Sequence, residues 1–304
     1  MPDLPLEIER EIFEWTARSA PDDTALRTRL MLIAHRTRTW VAPIIYELRL
    51  FLSTRDVDRF LVLYKSMPPQ FFANHIKTLC LGHFCIPYET EEDPFDERGY
   101  SYRDDPMEVP DTSNVCRVLA ACSGTRRLAC WIDFAYGDPV LGLIAPLPLR
   151  RISIELQHFT WLLKLYPHSQ WLRDLTHLDL IYWSYSAAEL PDLTRLPSLT
   201  HVSLGWADSS TYPAVTATVR TTCPRLKVLI VRMDSLARVV HVDKDPRVVV
   251  LLTLDPLGSW KNSGDGCPDM WTYAEEIICR RNKSSEKPLE LPRMNVKPLE
   301  QGIT

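Results

Sequence analysis

A short strand signature, apolar-x-x-apolar-x-apolar, recurs six times along this 304-residue chain. Three copies nearly restate one another: Leu175-Thr-His-Leu-Asp-Leu180, Leu199-Thr-His-Val-Ser-Leu204 and Leu226-Lys-Val-Leu-Ile-Val231. Weaker copies stand at Ile76–Leu81, Thr125–Cys130 and Leu149–Ile154. From Thr125 onward they begin 24, 26, 24 and 27 residues apart, and a further candidate at Val249, Leu252 and Leu254 begins 23 beyond the last. A unit of that length holds one strand and one helix or turn, and it cannot bury its apolar face alone. The spacing therefore predicts an α/β solenoid of stacked parallel strands with helices between them. Such an array presents an extended surface to a macromolecule more readily than it builds a catalytic pocket.

The formal net charge is -4 and the sequence pI about 6.1, which argues against the basic field that a nucleic-acid backbone requires. The longest aliphatic run, Val248 to Leu252, is far below the roughly 18 residues of a membrane span. Acidic residues among the first ten positions do not fit a secretory leader, so the expected setting is the cytoplasm or nucleus. Eight cysteines at 80, 85, 116, 122, 130, 223, 267 and 279 form no Cys-x-x-Cys pair and read as reduced, packed thiols. Only ten glycines are present, with no phosphate-cradling loop and no nucleophile elbow. Neither a cofactor nor a catalytic role is expected.

The first fifty residues have a helical period instead. Leu4, Ile8, Ile12 and Trp15, with Phe13 alongside, form an apolar stripe on a helix opened by Pro5. Pro21-Asp-Asp-Thr24 caps a second helix, Ala25 to His35, that buries Leu26, Leu30 and Ile33. Trp40, Ile44 and Tyr46 carry the pattern past Pro43, giving a three-helix module over residues 1–50. The run Leu4-Pro-Leu-Glu-Ile-Glu-Arg-Glu-Ile-Phe13, the second apolar helix and Arg38-Thr-Trp40-x-x-Pro43-x-x-Tyr46 resemble an F-box, in the divergent form common in mushroom-type fungi. The repeats that follow resemble an irregular leucine-rich-repeat array. Asp245-Pro-Arg-Val-Val-Val250, Trp260, Trp271 and a helix ending Ile277-Ile-Cys-Arg-Arg281 look like the closing segment of that group. The resemblance implies a substrate-recognition subunit of a cullin-RING ubiquitin ligase, bound to a Skp-type adaptor through Leu4, Pro5, Ile8, Ile12, Phe13, Leu30 and Trp40. The alternative is a repeat scaffold whose N-terminal helices only cap the array. A third class, an enzyme with a pocket beside the acidic stretch described next, has no motif in its favour.

The array is expected over residues 51–282, interrupted by an acidic, aromatic-bearing insertion at 89–111 and followed by a disordered tail at 283–304. Alternation along each strand turns one set of side chains outward onto a common surface. That set, with residues just after the strands, contains Trp131, Asp133, Arg151, Glu155, His177, Asp179, Trp183, His201, Trp206 and Arg232, and it reads as the client-protein surface. Like positions should form rows, His177 beside His201 and Asp179 beside Ser203. His75, Cys80, His83 and Cys85 are zinc-type ligands by residue type, but strand alternation separates them, so no metal site is expected. Cys116 and Cys122 fall on different sides of one helix and read as core thiols.

Overall fold

The structure, a computed structural model, describes residues 4–20, 23–68, 70–82, 111–181, 190–205, 212–233, 245–252, 257–260 and 268–283. Most of the acidic insertion, Trp183, Trp206, His83, Cys85 and the tail beyond Lys283 lie outside the described residues.

Three helices open the chain. Helix α1 (Leu6–Ser19) starts after Pro5, and α2 (Thr24–Ile33) starts where the Asp23 carboxylate accepts from the Leu26 amide at 2.7 Å. In α3 (His35–Glu47) the Thr37 hydroxyl donates to the Ala34 carbonyl at 2.7 Å and accepts from the Ala34 amide at 3.0 Å. The helix runs on through Pro43. Together the helices enclose a small core of Ala17, Leu30 and Val41, with Phe13, Leu26 and Ile44 packed against it.

The chain then passes directly into β1 (Leu48–Phe51), three residues before the expected start of the array at residue 51. There follow α4 (Thr54–Ser66), α5 (Phe71–His75), β2 (Thr78–Gly82), α6 (Thr112–Ala121), β3 (Arg127–Trp131), α7 (Pro139–Ile144) and β4 (Arg151–Glu155). Next come α8 (Leu156–Leu165), α9 (Trp171–Asp174), β5 (His177–Ile181), a 3-10 turn (Leu193–Arg195), β6 (His201–Gly205), α10 (Tyr212–Thr222), β7 (Val228–Met233) and β8 (Val248–Leu252). A single helical turn, α11 (257–260), and the longer α12 (Met270–Lys283) close the described chain. The eight strands form one sheet in strict chain order, every neighbouring pair parallel. This is an α/β architecture.

Each sequence copy places its second and third apolar positions in a strand, and these line the main core. Leu79, Leu128, Ile152, Leu178, Val202 and Leu229 form one such row, in register from strand to strand. Helices α4 to α8 pack against this face through residues such as Phe60, Val118, Leu141 and Phe159, all buried. Helix α4 is fixed at its start by a reciprocal capping box, in which the Ser53 hydroxyl accepts from the Asp56 amide and the Asp56 carboxylate accepts from the Ser53 amide. Cys122 closes α6 fully buried, with its thiol pushed up to about 12 by burial, and Cys116 is half-buried.

Gly124 lies in the turn before β3, and a β-carbon there would overlap the Ala73 carbonyl of α5. Gly137, in contrast, has open space but a φ of 83°. Gly124→Ala is expected to destabilise by about 3 kcal/mol, since backbone must move, and Gly137→Ala by about 1 kcal/mol through φ strain. Urea unfolding of the two variants checks this order.

Candidate functional site

The strand face read as a client surface is covered by the chain itself. Alternate strand positions do turn away from the main core, and the register pairs His177 with His201 and Asp179 with Ser203. Those side chains, however, meet α11 and α12 rather than solvent. Trp131, Arg151, Asp179, His201 and Arg232 are buried, Glu155 and His177 are half-buried, and Asp133 alone among the described candidates is exposed. The expectation of an open surface at these strand positions is therefore corrected: the C-terminal segment occupies it.

Apolar contact and a polar network together hold this cover. Val228, Ile230, Val249 and Leu251 pack beneath Met270, Trp271 and Ala274 of α12. Cys80, Ala129, Trp131 and Ile181 pack beneath Leu257 and Trp260 of α11. The central row across the sheet is Cys80, Ala129, Ser153, Asp179 and Ser203, all small or short, and this leaves room for Trp260. Asp269 anchors the segment. Its Oδ1 caps α12 by accepting from the Thr272 amide and hydroxyl, both at 3.0 Å, while its Oδ2 accepts from Arg151 Nη1 at 2.6 Å. Burial alone would raise the Asp269 carboxyl, but the Arg151 guanidinium and the Thr272 donors hold it below its ordinary value. The Arg151 guanidinium also lies 4.4 Å from the ring centre of Trp260, a cation–π contact.

Asp179 is the second anchor. Trp131 Nε1 donates to Ser153 Oγ at 2.8 Å, Ser153 Oγ donates to Asp179 Oδ2 at 2.6 Å, and Arg232 Nη2 donates to Asp179 Oδ1 at 2.8 Å. Gly205 makes this possible, because a β-carbon there would stand 2.5 Å from Arg232 Nη2. Beside the network the two imidazoles of the Thr-His copies stack at 4.1 Å, Trp271 closes over both edge-on, and His201 Nε2 meets Glu275 of α12 at 3.0 Å. Burial, then the neighbouring His201 and Arg151, push the His177 imidazole down to about 3.

The N-terminal module presents the opposite situation. Ile8, Ile12 and Trp15 recur on one side of α1, with Leu4 exposed just before the helix, and Ile12 and Trp15 remain 51% and 70% exposed. Pro5 and Leu6 are exposed as well, as are Leu32 and Ile33 at the end of α2. Phe13 and Trp40 are half-buried and face each other at 6.4 Å within the module. Leu30 is a core residue of that module, which corrects its expected place on a contact surface. Trp15 and Leu6 belong to the exposed apolar surface although the contact residues that the resemblance implies do not include them. The signal for Trp15 was its position seven residues beyond Ile8.

The two described zinc-type residues, His75 and Cys80, are engaged separately, and His83 and Cys85 lie outside the described residues. His75 Nδ1 lies 2.8 Å from the Phe71 carbonyl with its ring stacked on Phe71, while Cys80 is sealed in the covered face with its thiol raised by burial and by Cys130.

Breaking the Arg232–Asp179 pair from one side leaves a buried charge, so Asp179→Asn or Arg232→Met is expected to destabilise by about 3–5 kcal/mol in urea unfolding, with the double variant costing less than the sum. The His177 prediction concerns pH. Its folded value lies below the unfolded value, so its contribution is present above about pH 6.5 and is lost as pH falls toward 3. One unit below the unfolded value, at pH 5.5, the loss is about 1.4 kcal/mol. Urea midpoints at pH 7.5 and 5.5 should show this difference in the wild type and a smaller one in His177→Phe.

No protein-family model, no curated protein and no solved structure matches this chain.

Proposed function

We propose that this chain is a non-catalytic substrate-recognition subunit of a cullin-RING ubiquitin ligase, acting in the cytoplasm or nucleus. Its N-terminal helices dock on a Skp-type adaptor, and its strand array, of leucine-rich-repeat type, presents a client protein. The observation that carries this reading is the exposed stripe of Ile8, Ile12 and Trp15 on α1, continued by Leu4 just before the helix. A helix that only capped the array would turn such a stripe inward, whereas a docking helix leaves it free as an apolar patch. The F-box resemblance supplies the identity of the partner, and the free stripe supplies a surface for it.

Capping falls to a different helix. Tyr46 at the end of α3 packs edge-on against Phe71 of α5 at 5.0 Å, and Glu47 reaches Arg127 of β3 at 3.0 Å. The scaffold reading therefore accounts for α3 and leaves α1 without a purpose. With α11 and α12 seated on the strand face, the client is met outside that face. No residue of the chain is assigned a chemical step.

The test is binding of the purified protein to a Skp-type adaptor by pull-down and calorimetry, with Ile8→Asp and Ile12→Asp as variants. Both positions are exposed, so the variants should fold normally by circular dichroism and weaken binding by at least about tenfold. Phe13→Asp is a poor probe because Phe13 is part of the module core. Failure of the folded wild type to bind would remove the ligase reading and leave the scaffold.

A further inference from the structure

Three side chains of metal-ligand type converge at the carboxyl ends of the adjacent strands β3 and β4. Asp133 follows β3, Glu155 closes β4, and His158 stands in the first turn of α8. One donor atom from each lies within 4.8 Å of the others. Glu155 and His158 are three residues apart across a helix start, a spacing that puts both on one side.

The imidazole is held rigidly and is only partly used by the fold. His158 is 2% exposed, with the Phe134 ring stacked on it at 3.8 Å and Trp161 at 5.2 Å. Asp133 Oδ1 lies 3.6 Å from Nε2, and Glu155 Oε2 lies 3.4 Å from Nδ1. Nδ1 nevertheless makes no hydrogen bond. A neutral imidazole carries one proton and one bare lone pair, so carboxylates beside both nitrogens leave that lone pair facing an anion. Glu155 precedes α8 without its side chain accepting from any amide of the first turn.

We propose that His158, Glu155 and Asp133 form a binding site for a divalent transition-metal ion of the zinc class. Nitrogen and oxygen ligands about 2.0–2.2 Å from such an ion, at tetrahedral angles, stand about 3.3–3.6 Å apart, which the His158 Nδ1 to Glu155 Oε2 separation of 3.4 Å matches. Asp133, 96% exposed at its side chain, stands beside the other ring nitrogen and reaches the same ion by swinging its carboxylate away from Nε2. The imidazole nitrogen selects against magnesium and calcium, which take oxygen donors. Three protein donors leave a fourth position open to water. The site touches no residue of the α1 stripe and stands independently of the docking reading.

The test is calorimetric titration of the chelator-washed full chain with zinc chloride, paired with visible and near-ultraviolet absorption on adding cobalt. One ion per chain at micromolar affinity is expected, with cobalt bands and no thiolate charge-transfer absorption. Asp133→Asn and Glu155→Gln should each weaken uptake by at least about tenfold, whereas Glu276→Gln, an exposed acid of α12, should leave it unchanged. Asp133 is a surface residue, so loss in that variant with an unchanged circular dichroism spectrum cannot come from misfolding. No saturable uptake below about 100 μM, uptake unaffected by either variant, or a thiolate band placing the ion on cysteine would each overturn the proposal.

Discussion

An all-parallel sheet is ordinarily covered on both faces, and in this chain the second face is closed by α11 and α12 rather than by the helices between the strands. The Asp269 carboxylate is the point on which that closure depends. It caps α12 and pairs with Arg151 in the middle of the sheet, so one residue starts the covering helix and fixes its place. The pairing spans 118 positions of sequence, which makes the cover a non-local element of the fold. Trp260 and Trp271 supply the apolar area, and Asp269 and Asp179 supply the register.

This arrangement changes the meaning of the polar residues on the strands. Arg151, Asp179 and Arg232 look like a recognition surface when the strands are considered alone, because Arg and Asp seldom enter a core. In the fold, two cations meet two anions, Arg151 with Asp269 and Arg232 with Asp179, and all four are buried. Such pairs add little net stability compared with apolar packing, but they penalise any alternative seating of the cover, which would strand a charge. Their worth is therefore specificity of the closure.

The strand array was legible because its signal is local and repeated. Leu178, Leu180, Val202 and Leu204 announce their strands by spacing alone, and duplication makes the register of His177 with His201 readable. The β1 strand was not legible, because Leu48–Phe51 follows a helical pattern without a break and no repeat precedes it. Nor was the cover: Asp269 and Trp271 carry no periodic mark, and nothing in a strand says which of its faces another element will later occupy. The site formed by Asp133, Glu155 and His158 escaped for a related reason. Two of its members were recognised as outward residues, but His158 reads as one polar position on the apolar helix α8, and only the fold stacks it on Phe134 between the two acids.

Helix α1 shows how one amphipathic pattern can mislead about direction. Its inward residues are Phe13 and Ala17, which build the module core, while Ile8, Ile12 and Trp15 stand on the other side, with Leu4 just before the helix. A helix apolar on both sides is ordinarily enclosed by its own chain. Here the described chain encloses one side only, and the other gains nothing for folding from its large side chains. The ion pairs of the same helix, Arg10 and Arg18 with Glu14, and Glu9 with Arg36, lie among its charged residues and leave that stripe uncovered. The strand face and the α1 stripe thus exchange the roles that composition suggests: the polar surface is closed by the fold, and the apolar one is left open.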